Sequence, residues 1–334
     1  MSTRLLHCLA ILLLLGFALL RAAPAHAAGI TCTSASMTAV SFGTVNPLSS
    51  QTPTTATLSY ICNNTDTSNT HSATICFSIG EPGGNQTNPL LMTSGANTLQ
   101  FQLYQDASYS TVWGSQFFGS ITPLQVNLTL AKSASKSSVA TLYAQVLGGQ
   151  TTAVPSGTAY TDNYQNGDTA VTINDVQGGT APGSCSGTAI GVYFPFLVSA
   201  TVQKTCTVSA NNLSLGAVAA GGAPTSGSST LSVACTYTTP YYIGLAPMNV
   251  ASTTGAGTMK GTGTNTDSVA YQLYSNAGLS TVWGNTATST SKGNGVSGTG
   301  SGSAQTLTVY AKVTGSTDVQ PDTYSDVVQV NVNY

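Results

Sequence analysis

Beyond an apolar opening stretch, hydrophobic residues recur along this chain singly, at every second position. Val328, Val330, Val332 and Tyr334 alternate with Val327, Gln329, Asn331 and Asn333. Leu128 to Leu130 and Leu307 to Val313 alternate in the same way. A period of two puts one row of side chains on each face of a strand, whereas a helix repeats every three to four residues. Clusters of Gly, Pro, Asn and Ser separate these runs. Short alternating runs between turn formers predict an all-β chain of antiparallel sandwiches. The longest stripe lies mid-chain, where Val192, Phe194, Phe196, Val198, Ala200 and Val202 share one face. Pro195 interrupts it, and a residue without an N–H belongs at a sheet edge or a bulge.

The opening is of another kind. Arg4 gives it a positive start, Leu5 to Leu20 an apolar run, and Ala25-His26-Ala27 a small-residue cleavage site. These are the parts of a secretory signal peptide, so residues 1–27 are expected to be removed on export. As a membrane anchor the run is short, is broken by His7 and Cys8, and stops at Arg21.

An internal repeat divides the remainder. Residues 101–114 read FQLYQDASYSTVWG and residues 271–284 read YQLYSNAGLSTVWG, and both tryptophans, Trp113 and Trp283, fall inside them. Cys32 and Cys62 recur as Cys206 and Cys235, and Phe42-Gly43 as Leu215-Gly216. Tyr143-Ala144-Gln145-Val146 recurs as Tyr310-Ala311-Lys312-Val313, and Tyr160-Thr161-Asp162 as Tyr324-Ser325-Asp326. Anchors kept in order over such a length mean two tandem domains, not a solenoid of short repeats. The expected division is 28–203 and 204–334.

Charge and cysteine sharpen this picture. Loss of the leader removes both arginines and leaves six lysines, ten acidic residues and one histidine, His71. Nothing there grips phosphates, which argues against a nucleic-acid partner. Cys8 also leaves, and an even set remains: Cys32, Cys62, Cys76, Cys185, Cys206 and Cys235. In an exported chain these read as three disulfides. Symmetry of the repeat pairs Cys32 with Cys62 and Cys206 with Cys235, and Cys76 and Cys185 are left for each other. Closing that long loop contributes about 4–5 kcal/mol in the chain-entropy picture.

Catalytic patterns are missing. His71, beside Thr70 and Ser72, reads as a solvated loop residue, and Glu81 is the only glutamate. Gly293-Asn294-Gly295-Val296-Ser297-Gly298 fits G-x-G-x-x-G in letter but opens no helix, so it is not a dinucleotide site. Asp162 and Asp326 hold equivalent places in both copies and read as structural. No enzyme, metal or cofactor is expected.

Together the early Cys, the FG-type turn, the second Cys about thirty residues on, Y-x-L-Y running into W-G, Y-A-x-V and a terminal Y-[ST]-D before alternating valines resemble the spore coat protein U domain, the pilin-like domain of archaic chaperone–usher pili. The second domain fits from Cys206 to Tyr334; the first fits from Cys32 to about Ile173 and then departs. That resemblance implies immunoglobulin-like sandwiches that lack their last strand. It also implies partners: a periplasmic chaperone, an outer-membrane usher, and a next pilus subunit that donates a strand to the C-terminal domain. Strand addition of this kind draws affinity from main-chain hydrogen bonds and register from alternate side chains.

Within that frame the chain reads as a tip subunit, exported through the periplasm to the cell surface and serving attachment and biofilm formation. Only Ala28, Gly29, Ile30 and Thr31 precede Cys32 after the expected cleavage, too few to donate a strand of ordinary length. The stripe at Val192, Phe194, Phe196 and Val198 reads as the first domain's missing strand supplied in cis, or else as the first strand of the second domain. Insertions exclusive to the first domain, with Leu90, Leu91 and Met92 and with Phe117, Phe118 and Leu124, are the expected contacts to an abiotic or host surface. A structural coat or shaft subunit and a glycan-binding lectin are the alternatives.

Overall fold

The computed structural model describes residues 29–80, 88–117, 121–185 and 190–334. The leader, Glu81 and Phe118 lie outside them. Twelve strands belong to the first half: β1 (Ile30–Met37), β2 (Val40–Val45), β3 (Thr52–Asn64), β4 (His71–Ile79), β5 (Leu90–Ser94), β6 (Asn97–Tyr104), β7 (Leu124–Leu130), β8 (Ser135–Val146), β9 (Tyr160–Tyr164), β10 (Thr169–Gln177), β11 (Ile190–Val192) and β12 (Phe196–Val202). Eight follow: β13 (Cys206–Ala210), β14 (Ser226–Cys235), β15 (Pro240–Pro247), β16 (Ala256–Lys260), β17 (Ser268–Tyr274), β18 (Val296–Thr299), β19 (Ala304–Val313) and β20 (Val328–Asn333).

Among the described residues four sheets result, and none of them mixes the halves. The first half forms one sheet in the order β1-β3-β8-β6-β5-β9-β12-β2 and another in the order β11-β10-β4-β7. The second forms β13-β14-β19-β17-β16 and β18-β15-β20. Each half buries its own hydrophobic core, the signature of two domains.

Repeated residues mark repeated duties. Trp113 and Trp283 are both buried. Their indole N–H groups donate to the carbonyls of Phe77 (2.8 Å) and Ile243 (2.9 Å), equivalent places on β4 and β15. A buried indole needs such an acceptor, so ring and partner are kept together. Gly43 and Gly216 both sit at left-handed φ, +62° and +79°, where a side chain would strain the backbone.

One strand breaks the alternation the sequence suggests. β4 is buried along its whole length. Its inward face packs Ala73, Ile75 and Phe77 into the core. Over its outward face folds the segment after β10: Ser72 donates to the Gly179 carbonyl, the Gly183 N–H donates to Thr74 Oγ1, and Cys76 bonds Cys185. The extra segment of the first domain is therefore a cover for β4. Disulfides Cys32–Cys62 and Cys206–Cys235 each join a first strand to its neighbour, at paired positions of β1–β3 and β13–β14. Non-reducing peptide mapping is expected to recover these three bridges, and a bridge joining the two halves would contradict the fold.

Candidate functional site

The two copies of the repeat differ most at one place, the slot beside the last repeated strand. In the first domain that slot is filled. β11 pairs antiparallel with β10, with Val192 opposite Val171. The Phe194 N–H still donates to Thr169 Oγ1 of β10 (2.9 Å), and at Phe194-Pro195 the chain crosses to the other sheet. There β12 lies between two strands: antiparallel to β9, with Val198 opposite Asp162, and parallel to β2, with Val198 opposite Val40. The turn-over from one sheet to the other explains why a proline is tolerated within the stripe. Phe194, Phe196, Val198, Ala200 and Val202 are buried, while Leu197 between them is 41% exposed. Phe196 stacks on Tyr164 with ring centroids 4.5 Å apart, and Phe194 meets Phe77 edge-on at 6.1 Å.

In the second domain the equivalent slot is open. Among the described residues no strand pairs with the outer edge of β20, or with the segment 324–327 before it on the side that β12 takes in the first domain. Where β2 runs in the first domain, the counterpart around Leu215-Gly216 is not a strand. Phe42 and Val45 are buried in the filled copy, but Leu213 and Leu215 remain half-buried in the open one. Between the sheets runs a groove of about 550 Å³, lined by Leu213, Leu215, Leu231, Leu245, Val309 and Val330 among others. Its polar part holds Tyr271 and Asp326. The Tyr271 hydroxyl donates to Asp326 Oδ2 (2.8 Å), and Oδ1 accepts the N–H groups of Asn249 (3.0 Å) and Val327 (2.8 Å). Burial, and then the Asp326 carboxylate, push the Tyr271 hydroxyl far above its ordinary value, so it stays a donor.

The expected surface residues are dispersed. Leu90 and Met92 point inward from β5 into the core, so they are not contact residues; alternation leaves only Leu91 outward, 38% exposed. Leu124, the first residue of β7, is half-buried against the same core. Phe117 is 43% exposed. It follows Gln116, whose N–H donates to Ser78 Oγ and whose side-chain oxygen accepts from Thr172 on β10. Leu91 thus lies on β5, whereas Phe117 lies in a loop whose preceding residue is bonded to β4 and β10 of the other sheet.

His71 is no loop residue. It starts β4 and is 4% exposed, at the pole where β1 and β4 begin and β3, β7 and β10 end. Its Nδ1 lies 2.6 Å from Asp175 Oδ2 and its Nε2 3.1 Å from Asp66 Oδ2. Asp175 also accepts the Ile30 N–H, which ties the first strand into the cluster. Burial pushes the imidazole pKa down, but hydrogen bonds and charge from Asp175 and Asp66 outweigh it, and the net shift is upward. A raised folded value means that this stabilisation is complete below the ordinary value near 6.5 and fades as pH rises through the folded one. The melting midpoint of the first domain is expected to fall as pH rises above the ordinary imidazole value near 6.5, and His71→Gln to flatten that slope in calorimetry. Asp66, five residues ahead of His71, was the sequence signal for a carboxylate partner.

The family model of the Spore Coat Protein U domain matches residues 18–165 and again 192–331. Among curated proteins no match is found. A solved structure from the CsuC–CsuE chaperone–tip adhesion subunit pre-assembly complex of archaic chaperone–usher Csu pili of Acinetobacter baumannii aligns with a TM-score of 0.50 at 16% identity. It covers 90% of this chain and all of that one. The CupB6 tip adhesin of Pseudomonas aeruginosa aligns at 13% identity and a TM-score of 0.35, over 90% and 93% of the two chains. At such identities the first likeness speaks to the fold.

Proposed function

This chain belongs to the Spore Coat Protein U domain family, and on that premise we propose that it is the adhesin-type tip subunit of an archaic chaperone–usher pilus. One contrast carries the reading: the slot filled by β11 and β12 in the first domain is open beside β20 and the segment 324–327 in the second. The first domain is then a finished body, and the second an acceptor for one strand from elsewhere. Filling the slot removes the apolar groove from water and pairs an open sheet edge, which is otherwise an aggregation hazard. A periplasmic chaperone would fill it first and the next subunit afterwards, with assembly at an outer-membrane usher. The protein's task is binding and assembly, not catalysis.

Immunogold labelling of assembled fibres tests the position. Label confined to fibre ends is expected; label along the shaft would favour a shaft or coat subunit. For the attached surface, the segment at Phe117 and Phe118 is the remaining apolar candidate. With no arginine after the leader, the chain is poorly equipped for charge-driven capture, whereas exposed apolar side chains suit a hydrophobic surface. Replacing Phe117 and Phe118 by Ser is expected to reduce attachment to plastic while export and fibre assembly continue. Attachment that survives this change, or that disappears when salt is raised, rules the hydrophobic contact out.

A further inference from the structure

Tyr271 and Asp326 face the open groove, and we propose that their hydrogen bond is a clamp that holds the segment 324–327 in position to accept a strand while none is bound. This deepens the reading of the groove as a strand acceptor and rests on it. In the first domain the equivalent segment, β9, is held from both sides: Thr161 pairs with Thr93 of β5, and residues 160–164 pair with β12. In the second domain only the first of these supports is present, as reciprocal N–H to O bonds between Ser325 and Lys260 (2.9 and 3.0 Å). Side-chain bonds add to this support from within the domain, from Tyr271 on β17 and from Asn249 just after β15. Asp326 takes the Tyr271 hydroxyl and the Asn249 N–H. Asn249 in turn donates through its amide to the carbonyls of Thr258 (2.9 Å) and Ser325 (3.1 Å).

The repeat supplies an internal control. The counterpart of Tyr271 is Phe101, which has no hydroxyl and instead meets Phe42 edge-on at 6.5 Å. The carboxylate is present in both copies, as Asp162 and Asp326, but the hydroxyl only in the copy whose slot is open. A wall fixed in advance spares the incoming strand the cost of ordering it, which is how preorganisation raises affinity. Once a strand has paired with the segment, its main-chain bonds make the clamp redundant. Tyr271 is thus a positioning residue, with its effect confined to the empty state.

The test uses the full chain without its leader and, as probe, a labelled synthetic peptide with the sequence of residues 192–203. Tyr271→Phe is expected to weaken peptide capture during refolding by about tenfold, the scale of one hydrogen bond to a charged acceptor. The substitution is compatible with the fold, because Phe stands at this place in the first domain. A second pair of chains carries the same strand joined after Tyr334 through a flexible linker, so that the slot is filled in both. There Tyr271→Phe is expected to leave the melting midpoint unchanged. Equal losses in empty and filled forms would make the bond an ordinary structural one, and no loss in either overturns the clamp as well. A wild-type chain that captures no peptide overturns the acceptor reading itself, and the clamp with it.

Discussion

Residues 204–334 produced alone should aggregate, and should become a soluble, cooperatively melting domain when the peptide 192–203 is supplied. The half-open groove is the reason. Leu213, Leu215, Met259, Val328 and Val330 are only partly buried around it, and each Å² of apolar surface left in water forgoes about 25 cal/mol. A few hundred Å² therefore costs a large part of the ~5–15 kcal/mol by which domains are stable. The open edge of β20 compounds this by offering unpaired N–H and C=O groups to a second copy. Light scattering with and without peptide reads the outcome. A monomer that melts cooperatively without any added strand would show that the second domain is complete as it stands.

The opposite result is expected for residues 28–203, which should fold without help as long as β12 is intact. Phe194→Ala removes a fully buried ring that packs on Phe77, a change that costs about 3–5 kcal/mol in well-packed cores. Val198→Asp should be worse. It puts a carboxylate beside Asp162, opposite it in the ladder, in a position with no exposure, and an unpaired buried charge is among the largest single penalties known. Leu197→Ala is the control: it faces outward between two buried neighbours and should stay within about 0.5 kcal/mol. Urea unfolding of the three variants measures this order. If the stripe served the second domain instead, the first two substitutions would leave 28–203 untouched.

What could be read in advance divides along a physical line. Period-two alternation, the two copies and the bridges were legible because each is written in local spacing or in repetition. Stripe residues Phe194 to Val202 declared their inward face before any partner was known, and Pro195 marked where the chain changes sheets. Burial of loop-like segments was not legible in the same way. Leu90, Leu91 and Met92 form an apolar run with no sign of which face is covered, and only the pairing of β5 turns two of them inward. β4 hid its nature for a related reason. Ser72, Thr74 and Ser78 look like solvent-facing positions, yet they are buried, the first two under a cover that starts a hundred residues later and the third beside Gln116. His71 reads as a loop residue in the sequence because one of its two partners, Asp175, lies far along the chain, and only the fold brings it beside Asp66 and His71. The difference between Phe101 and Tyr271 was visible in the repeat, but one hydroxyl acquires meaning only once the empty slot is seen beside it.

The placement of β12 also sets a timetable. Val198 pairs with Val40 at one side and with Asp162 at the other, so the oldest part of the first domain waits for nearly its youngest before the sheet can close. A chain threaded through a membrane from its N-terminus would emerge with β2 and β9 both ready and nothing yet between them. Contacts between such distant residues form slowly, because the loop they close is long. Until residue 202 has crossed, the first domain is as incomplete as the second. On export in that order both domains would lack a strand at first, and only the second would still lack one at the end.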